Sequence, residues 1–150
     1  MQGYDHDWLC RRIVEKIGDA ILFSDREGII RLWNAGAEIM FGFKAEEAIG
    51  RSLDIITPEN LRARHWEGYY RVMETGVSRY EKELLAVPAL RKDGERISVE
   101  FSMALIRNGA GEILGVAAVA RNVTARWQRE KSLRERLAAL EAQVGEMENR

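Results

Sequence analysis

The sequence is short of the residue types that carry most catalytic and redox chemistry: one cysteine, two histidines and two prolines in 150 residues. A single thiol, Cys10, excludes an intramolecular disulfide and any Cys-x-x-Cys metal or redox pair, and its expected role is packing in a short N-terminal helix. Two histidines, His6 and His65, supply no Ser/His/Asp or Cys/His constellation. No apolar run approaches the roughly 18 residues that span a bilayer, and MQGYDHDWLCRR lacks a cationic start followed by an apolar block, so no membrane partner and a cytoplasmic location are expected. Charge of neither sign dominates: 23 basic against 24 acidic residues leave a net charge of −1, which gives no field to attract nucleic acid. Gly42 and Gly50 form neither a phosphate loop nor a dinucleotide fingerprint. What is present is ordinary for a globular chain, 46% apolar and 31% charged, of a length that buries roughly 70% of its unfolded surface around one core.

Periodicity orders the chain. Residues 7–18, DWLCRRIVEKIG, begin with an Asp able to cap a helix and repeat apolar residues at Leu9, Ile13 and Ile17, an amphipathic lead-in over residues 1–18. AILFSDREGIIRLWN reads as two strands, Ala20–Ser24 and Ile29–Asn34, about a turn containing Asp25 and Gly28. Short helical pieces broken at Gly42 and Gly50 follow, with Glu46 and Glu47 solvated on a polar helix. Thr57-Pro58-Glu59 starts a stronger helix that Gly76 closes. A strand from Arg79 to Ala89, in which Pro88 marks an edge, bulge or end, turns at Lys92-Asp93-Gly94 into a second strand. There Ile97, Val99, Phe101, Met103 and Leu105 alternate with small or polar residues, so one face is core. After Asn108-Gly109-Ala110-Gly111, Ile113–Val119 returns as a strand. Runs of strands and helices in this order predict an α+β domain over residues 19–124, an antiparallel sheet with helices grouped on one face.

The last segment, 125–150, is rich in Glu, Arg, Ala and Leu. Leu133, Leu137, Leu140, Val144 and Met147 alternate spacings of four and three, a seam for a parallel coiled coil with a second copy. The seam is barely longer than two heptads, so homodimerisation is expected to need the domain's help.

The stretch RARHWEGY places His65 on the face shared by Leu61, Gly68, Tyr69 and Val72. Two readings are open for such a histidine: a neutral core imidazole bonded to a carbonyl, or a group that holds a ligand. Gly68 costs about 1 kcal/mol in a helix interior relative to Ala, and its missing side chain opens space beside the imidazole. Trp66 and Tyr70 lie off that stripe, and packing is their simplest role.

Taken together, residues 10 to about 130 resemble a PAS sensor domain. The resemblance rests on AILFSDREGIIRLWNAGAEIMFGF, AEEAIGRSL, RKDGERISVEF and GVAAVARNVTAR. It implies the PAS fold: an antiparallel five-stranded sheet with helices on one face, followed by a C-terminal coiled-coil helix. Asn122 stands where the family usually has Asp, which implies an altered hydrogen bond between sensor core and exit helix. The flavin photoreceptor branch needs a thiol on the helix where this chain reads LDIITPENL, and Cys10 precedes the first strand, so a flavin-thiol photocycle is not expected.

Within the family, the chain is similar to heme-binding PAS sensors of the FixL and Dos type. These carry a proximal histidine in a segment reading roughly Arg-x-x-His-x-x-Tyr, at the distance before a Lys/Arg-Asp-Gly hairpin that separates His65 from Lys92. The resemblance implies heme b with His65 as axial iron ligand, Gly68 and Tyr69 beside it, and Arg71 and Arg79 at the propionate positions. Leu85, Val99, Phe101 and Met103 would line the distal side, with Met103 a possible sixth ligand. Two departures shape the expectation. Leu85 replaces the arginine that hydrogen-bonds bound oxygen, and the tyrosine of the motif is shifted by one, to Tyr69. The implied function is a heme-binding sensor of a diatomic gas (CO, NO or O2) or of redox state, signalling through a dimeric C-terminal helix to a downstream protein. Enzymatic activity is not expected: a peroxidase-like role needs a distal acid/base, which Leu85, Phe101 and Met103 do not provide. The alternative is a cofactor-free or small-organic-ligand-binding dimerisation module.

Overall fold

Successive side chains of a strand point to opposite faces, and burial alternates along the strands accordingly, giving the sheet one buried face and one more open face. In the computed structural model, which describes residues 3–78 and 85–150, the elements are α1 (His6–Lys16), β1 (Ala20–Asp25), β2 (Ile30–Trp33), α2 (Ala35–Phe41), α3 (Ala45–Ala48), α4 (Arg62–Thr75), β3 (Leu85–Leu90), β4 (Arg96–Arg107), β5 (Ile113–Asn122) and α5 (Thr124–Glu148). The five strands form one antiparallel sheet in the order β2-β1-β5-β4-β3. The fold is therefore α+β, as the strand and helix runs imply. Its core joins Ala20 and Leu22 of β1, Ile97 and Val99 of β4, and Val116 and Ala120 of β5 to Ala37, Met40 and Phe41 of α2. Pro88 lies on the edge strand β3, opposite Ser98, where its missing N–H leaves no gap in the interior of the sheet.

One side chain joins three elements. Asn34 is 4% exposed, and its Oδ1 accepts the amides of Ile21 at 2.8 Å and Ala37 at 2.9 Å, capping α2 and closing the start of β1. Its Nδ2 donates to Val14 O at 2.8 Å, Asp19 O at 3.0 Å and Ile17 O at 3.4 Å, which ties the end of α1 to the same point. Every polar atom of this buried amide is satisfied.

Three local expectations change. Asp5, not Asp7, caps α1, accepting the Asp7 amide at 3.2 Å. Cys10 is exposed, not packed, with Sγ 3.5 Å from His6 Nε2. Thr57-Pro58-Glu59 opens only a short 3-10 turn, Glu59–Leu61, and α4 begins at Arg62. The reason is that the Thr57 hydroxyl donates backward to Leu53 O at 2.8 Å instead of capping forward. Where Asn122 replaces the usual Asp, the join to the exit helix is complete. Asn122 Oδ1 accepts the Thr124 amide and hydroxyl, Thr124 Oγ1 accepts the Ser98 amide at 2.9 Å, and the Val123 amide donates to Ser98 O at 2.8 Å.

Candidate functional site

Helix α4 carries His65, and its position is set by the β1–β2 turn. Gly28 takes φ +77, the left-handed region that favours glycine, and a Cβ there would lie 2.1 Å from the Trp66 indole. The indole thus rests on bare backbone. Its Nε1 donates to Asp54 Oδ1 at 2.7 Å, and Arg62 donates to the carbonyls of Thr57 and Asp54. One turn further on, the Tyr69 hydroxyl donates to Asp25 O and accepts from Ser24 Oγ, 3.0 Å away. Helix, turn and strand form one clamp. Tyr70 stacks on the outside of Trp66 at 5.6 Å, so both aromatics outside the His65 stripe serve packing.

Burial pushes the Tyr69 phenol up from 10.0 to about 12, against the lowering effect of its bond to Ser24. A raised acid contributes stability that is complete below the unfolded value of 10.0 and is lost as pH climbs through 12. Tyr69→Phe is expected to flatten that alkaline loss in chemical denaturation between pH 9 and 12, and to cost about 1 kcal/mol at neutral pH through the lost hydrogen bonds.

His65 lies against the edge of Trp66, with ring centroids 4.8 Å apart, and against Tyr69 at 5.8 Å. Its Nδ1 is closed off from solvent and has no hydrogen-bond partner among the described residues. Burial lowers its pKa, opposed by the nearby Asp54 carboxylate, so the imidazole is neutral at pH 7 and able to offer a lone pair. A buried ring nitrogen without a partner is uncommon. The core reading of this histidine therefore lacks the carbonyl bond that reading requires. At Gly68 a Cβ would meet nothing within 4 Å, so the helix surface there is open. Gly68→Ala is expected to raise thermal stability, by up to about 1 kcal/mol, because a helix-interior glycine is replaced without a clash.

Across from α4 the sheet's inner face is unevenly covered. Ile97 and Val99 are buried, whereas Phe101, Met103 and Leu105, next along the same face of β4, remain half-exposed. Leu85 pairs with Phe101 in register at the edge of that strip. The structure thus brings Leu85, Val99, Phe101 and Met103 onto one face of the sheet, and Tyr69 of α4 joins the core they border, with His65 one turn before it on the helix. It does not bring Arg71 there: that guanidinium is on the exposed side of α4, 3.2 Å from Glu67 Oε1. Arg79 lies outside the described residues. The clamp residues Ser24, Gly28 and Asp54 escaped sequence reasoning, although the turn assigned to Gly28 carried the signal for a close approach.

Among the grooves that the described residues form, one of about 530 Å3 lies beside Pro58, Leu90 and Arg96, and another of about 430 Å3 between Arg26, Met73 and Arg107. Neither is bordered by His65. No three His, Cys, Asp or Glu side chains among the described residues gather as a metal cluster. A lone neutral imidazole is the donor set an iron porphyrin needs, because the macrocycle supplies the other four nitrogens. The donor chemistry fits heme.

Sheet order, helical layer and exit helix define a PAS-type sensor fold. The chain belongs to the PAS fold family, whose model matches residues 9–123. It is similar to the sensor protein FixL of Bradyrhizobium diazoefficiens, 32% identical over 99 residues, covering 66% of this chain and 20% of FixL. It is also similar to the oxygen sensor protein DosP of Escherichia coli, 29% identical over 100 residues, 67% of this chain and 12% of that one. The chain thus spans a fifth or less of these curated relatives. Among solved structures, the PAS domain of a protein from Colwellia psychrerythraea superposes with a TM-score of 0.71 at 22% identity, over 81% of this chain and 99% of that one. No helix among the described residues is long and apolar enough to cross a membrane.

Proposed function

We propose that this PAS domain binds heme b through His65 and senses a diatomic gas or the iron's redox state. The observation that carries the reading is the buried imidazole nitrogen on α4, which has no hydrogen-bond partner among the described residues. When bound, heme supplies an iron centre whose ligation and oxidation state respond to gas and potential. The chain's part is to donate the His65 lone pair, to hold that ring through the Trp66 and Tyr69 clamp, and to present an apolar strip on β4. Leu85 offers no hydrogen bond, so the strip would favour CO or NO over O2, and Met103, half-exposed on that strip, would be the candidate sixth ligand. Arg71 would need to leave Glu67 to meet a propionate. The domain is read as a sensor without catalytic activity of its own. Its output would pass through Val123, Thr124 and Ser98 to a homodimeric α5 and a downstream signalling protein.

The test is a set of ferric, ferrous and ferrous-CO spectra after hemin addition to wild type and His65→Ala. A stoichiometric Soret band that shifts on reduction and on CO, and is altered by the substitution, supports the reading; spectra indifferent to His65 sink it. Gly68→Ala is a useful companion, since a methyl there should stabilise the apoprotein and would weaken hemin uptake where the porphyrin lies against that turn of α4. A second reading, a cofactor-free or small-organic-ligand-binding dimerisation module, is favoured by the absence of His65 from the walls of both grooves. It predicts a colourless protein.

A further inference from the structure

The apolar seam of α5 stops short of the helix's start. Leu133, Leu137, Leu140, Val144 and Met147 are all exposed and alternate spacings of four and three. Carried backward, the same alternation lands on Glu130 and then on Arg126. The first two turns of α5 thus set one anion and one cation where apolar residues would continue the seam. No residue of α5 is buried in the single chain, so these two positions are as open to a second helix as the leucines are.

Arg126 is already engaged. Its guanidinium donates to Glu100 Oε2 on β4, and its Nε stands 4.0 Å from Glu130 Oε1, one turn along the helix. Glu100 lies between Val99 and Phe101, so it rides on the strand whose other face carries the apolar strip. Its side chain is 23% exposed, so this pair is screened less than an ion pair in open solvent. The join of helix to sheet does not depend on it: the Ser98 amide donates to Thr124 Oγ1, and the Val123 amide to Ser98 O. Losing the ion pair therefore frees Arg126 without detaching α5.

In a parallel pair of α5 helices, each Arg126 faces its twin, and each Glu130 faces its twin in the next layer. Each cation then needs an anion, and two compete for it: Glu100 of its own sheet and Glu130 of the second copy. We propose that Glu100 and Arg126 form a catch that sets where the α5 coiled coil begins. With the catch closed, Arg126 stays on β4 and the seam starts at Leu133. With it open, Arg126 crosses to Glu130 of the second copy and the seam gains a heptad. The inference rests on the homodimeric α5 of the proposed function and is independent of heme. The effect comes from length: residues 133–147 hold little more than two heptads, near the limit for a stable coil, so one heptad more changes the dimer markedly. Movement of β4 under a ligand on the strip carries Glu100 with it, and a shift beyond hydrogen-bond reach, about 3.5 Å, opens the catch.

The test is the dimer constant of the full chain, measured by sedimentation equilibrium at low salt. Glu100→Gln is expected to tighten the dimer about fivefold, because two ion pairs, one per chain, no longer hold Arg126 back. It is also expected to slow amide hydrogen exchange over residues 127–132, the added heptad. Glu130→Gln alone is expected to shift the constant less than about twofold; combined with Glu100→Gln it cancels the gain, since the freed Arg126 then meets no anion. Salt at 1 M, where the screening length is about 3 Å, is expected to cancel it too. Arg126→Leu continues the seam with an apolar residue and is expected to tighten the dimer whether or not Glu100 is changed, so it decides the question even if Glu100→Gln folds poorly. Leu137→Glu with Leu140→Glu separates the two ways of failing: a dimer that ignores them shows the α5 seam to be wrong, and the catch falls with it. Where they do dissociate the dimer, the catch alone is overturned by a Glu100→Gln protein that dimerises no more tightly, by a gain that survives Glu130→Gln, or by an Arg126→Leu protein that gains nothing.

Discussion

His65→Gly is expected to weaken hemin binding at least about tenfold, some 1.4 kcal/mol, and free imidazole is expected to restore the wild-type spectrum. The glycine leaves a space of the shape of the lost ring between Trp66 and Tyr69, into which a soluble imidazole can return. Removing His65 breaks no hydrogen bond at Nδ1 among the described residues. The apoprotein should therefore lose stability only through lost packing and a glycine in α4, about 1 kcal/mol from the latter. A histidine serving the core behaves in the opposite way. Its loss costs stability and leaves spectra unchanged, so melting and titration of one variant separate the two roles.

Asn34→Ala is expected to be the most destabilising single change outside the hydrophobic core. It strips the cap from α2, leaves the Ile21 and Ala37 amides unpaired in the interior, and frees the carbonyls of Val14 and Asp19. Buried groups left unsatisfied cost about 1–3 kcal/mol each where water cannot reach them, so a loss of about 3 kcal/mol is expected. For a domain of this size that lowers the melting temperature by roughly 6–12 °C. Asn34→Asp keeps the acceptor but sets a carboxylate against the carbonyls of α1, so it should recover only part of the loss. Because α1 is tied through this residue alone among the described side-chain bonds, a variant that melts normally would contradict the hub.

Much of this architecture was legible in the sequence. The alternation Ile97-Val99-Phe101-Met103-Leu105 declares a strand with one core face, and the Gly28, Gly42, Gly76 and Gly94 turns fall where the backbone turns left-handed. The stripe Leu61-His65-Tyr69 declares the inward face of α4. Tertiary partners are harder to read. The start of α4 depended on whether the Thr57 hydroxyl turned forward or back, and local pattern does not encode that choice. Trp66 was legible as packing, but its seat on Gly28, 38 residues earlier in the chain, arises only when the hairpin folds onto the helix. Arg71 has the chemistry for a propionate, yet Glu67 one turn before it offers a nearer partner. His65 was the opposite case: residue type and spacing raised the question, and only its surroundings revealed a nitrogen without a bond.

The account turns on whether iron in this protein is bonded to His65. The sequence has only two histidines, so replacing His6 with Ala leaves one imidazole in the chain. The most direct measurement is resonance Raman spectroscopy of that variant, loaded with hemin and reduced, grown with and without 15N-labelled histidine. A low-frequency iron–imidazole band that shifts on labelling and vanishes in His65→Gly is the predicted result. Bound heme with no label-sensitive band would contradict the assignment of His65 as its ligand.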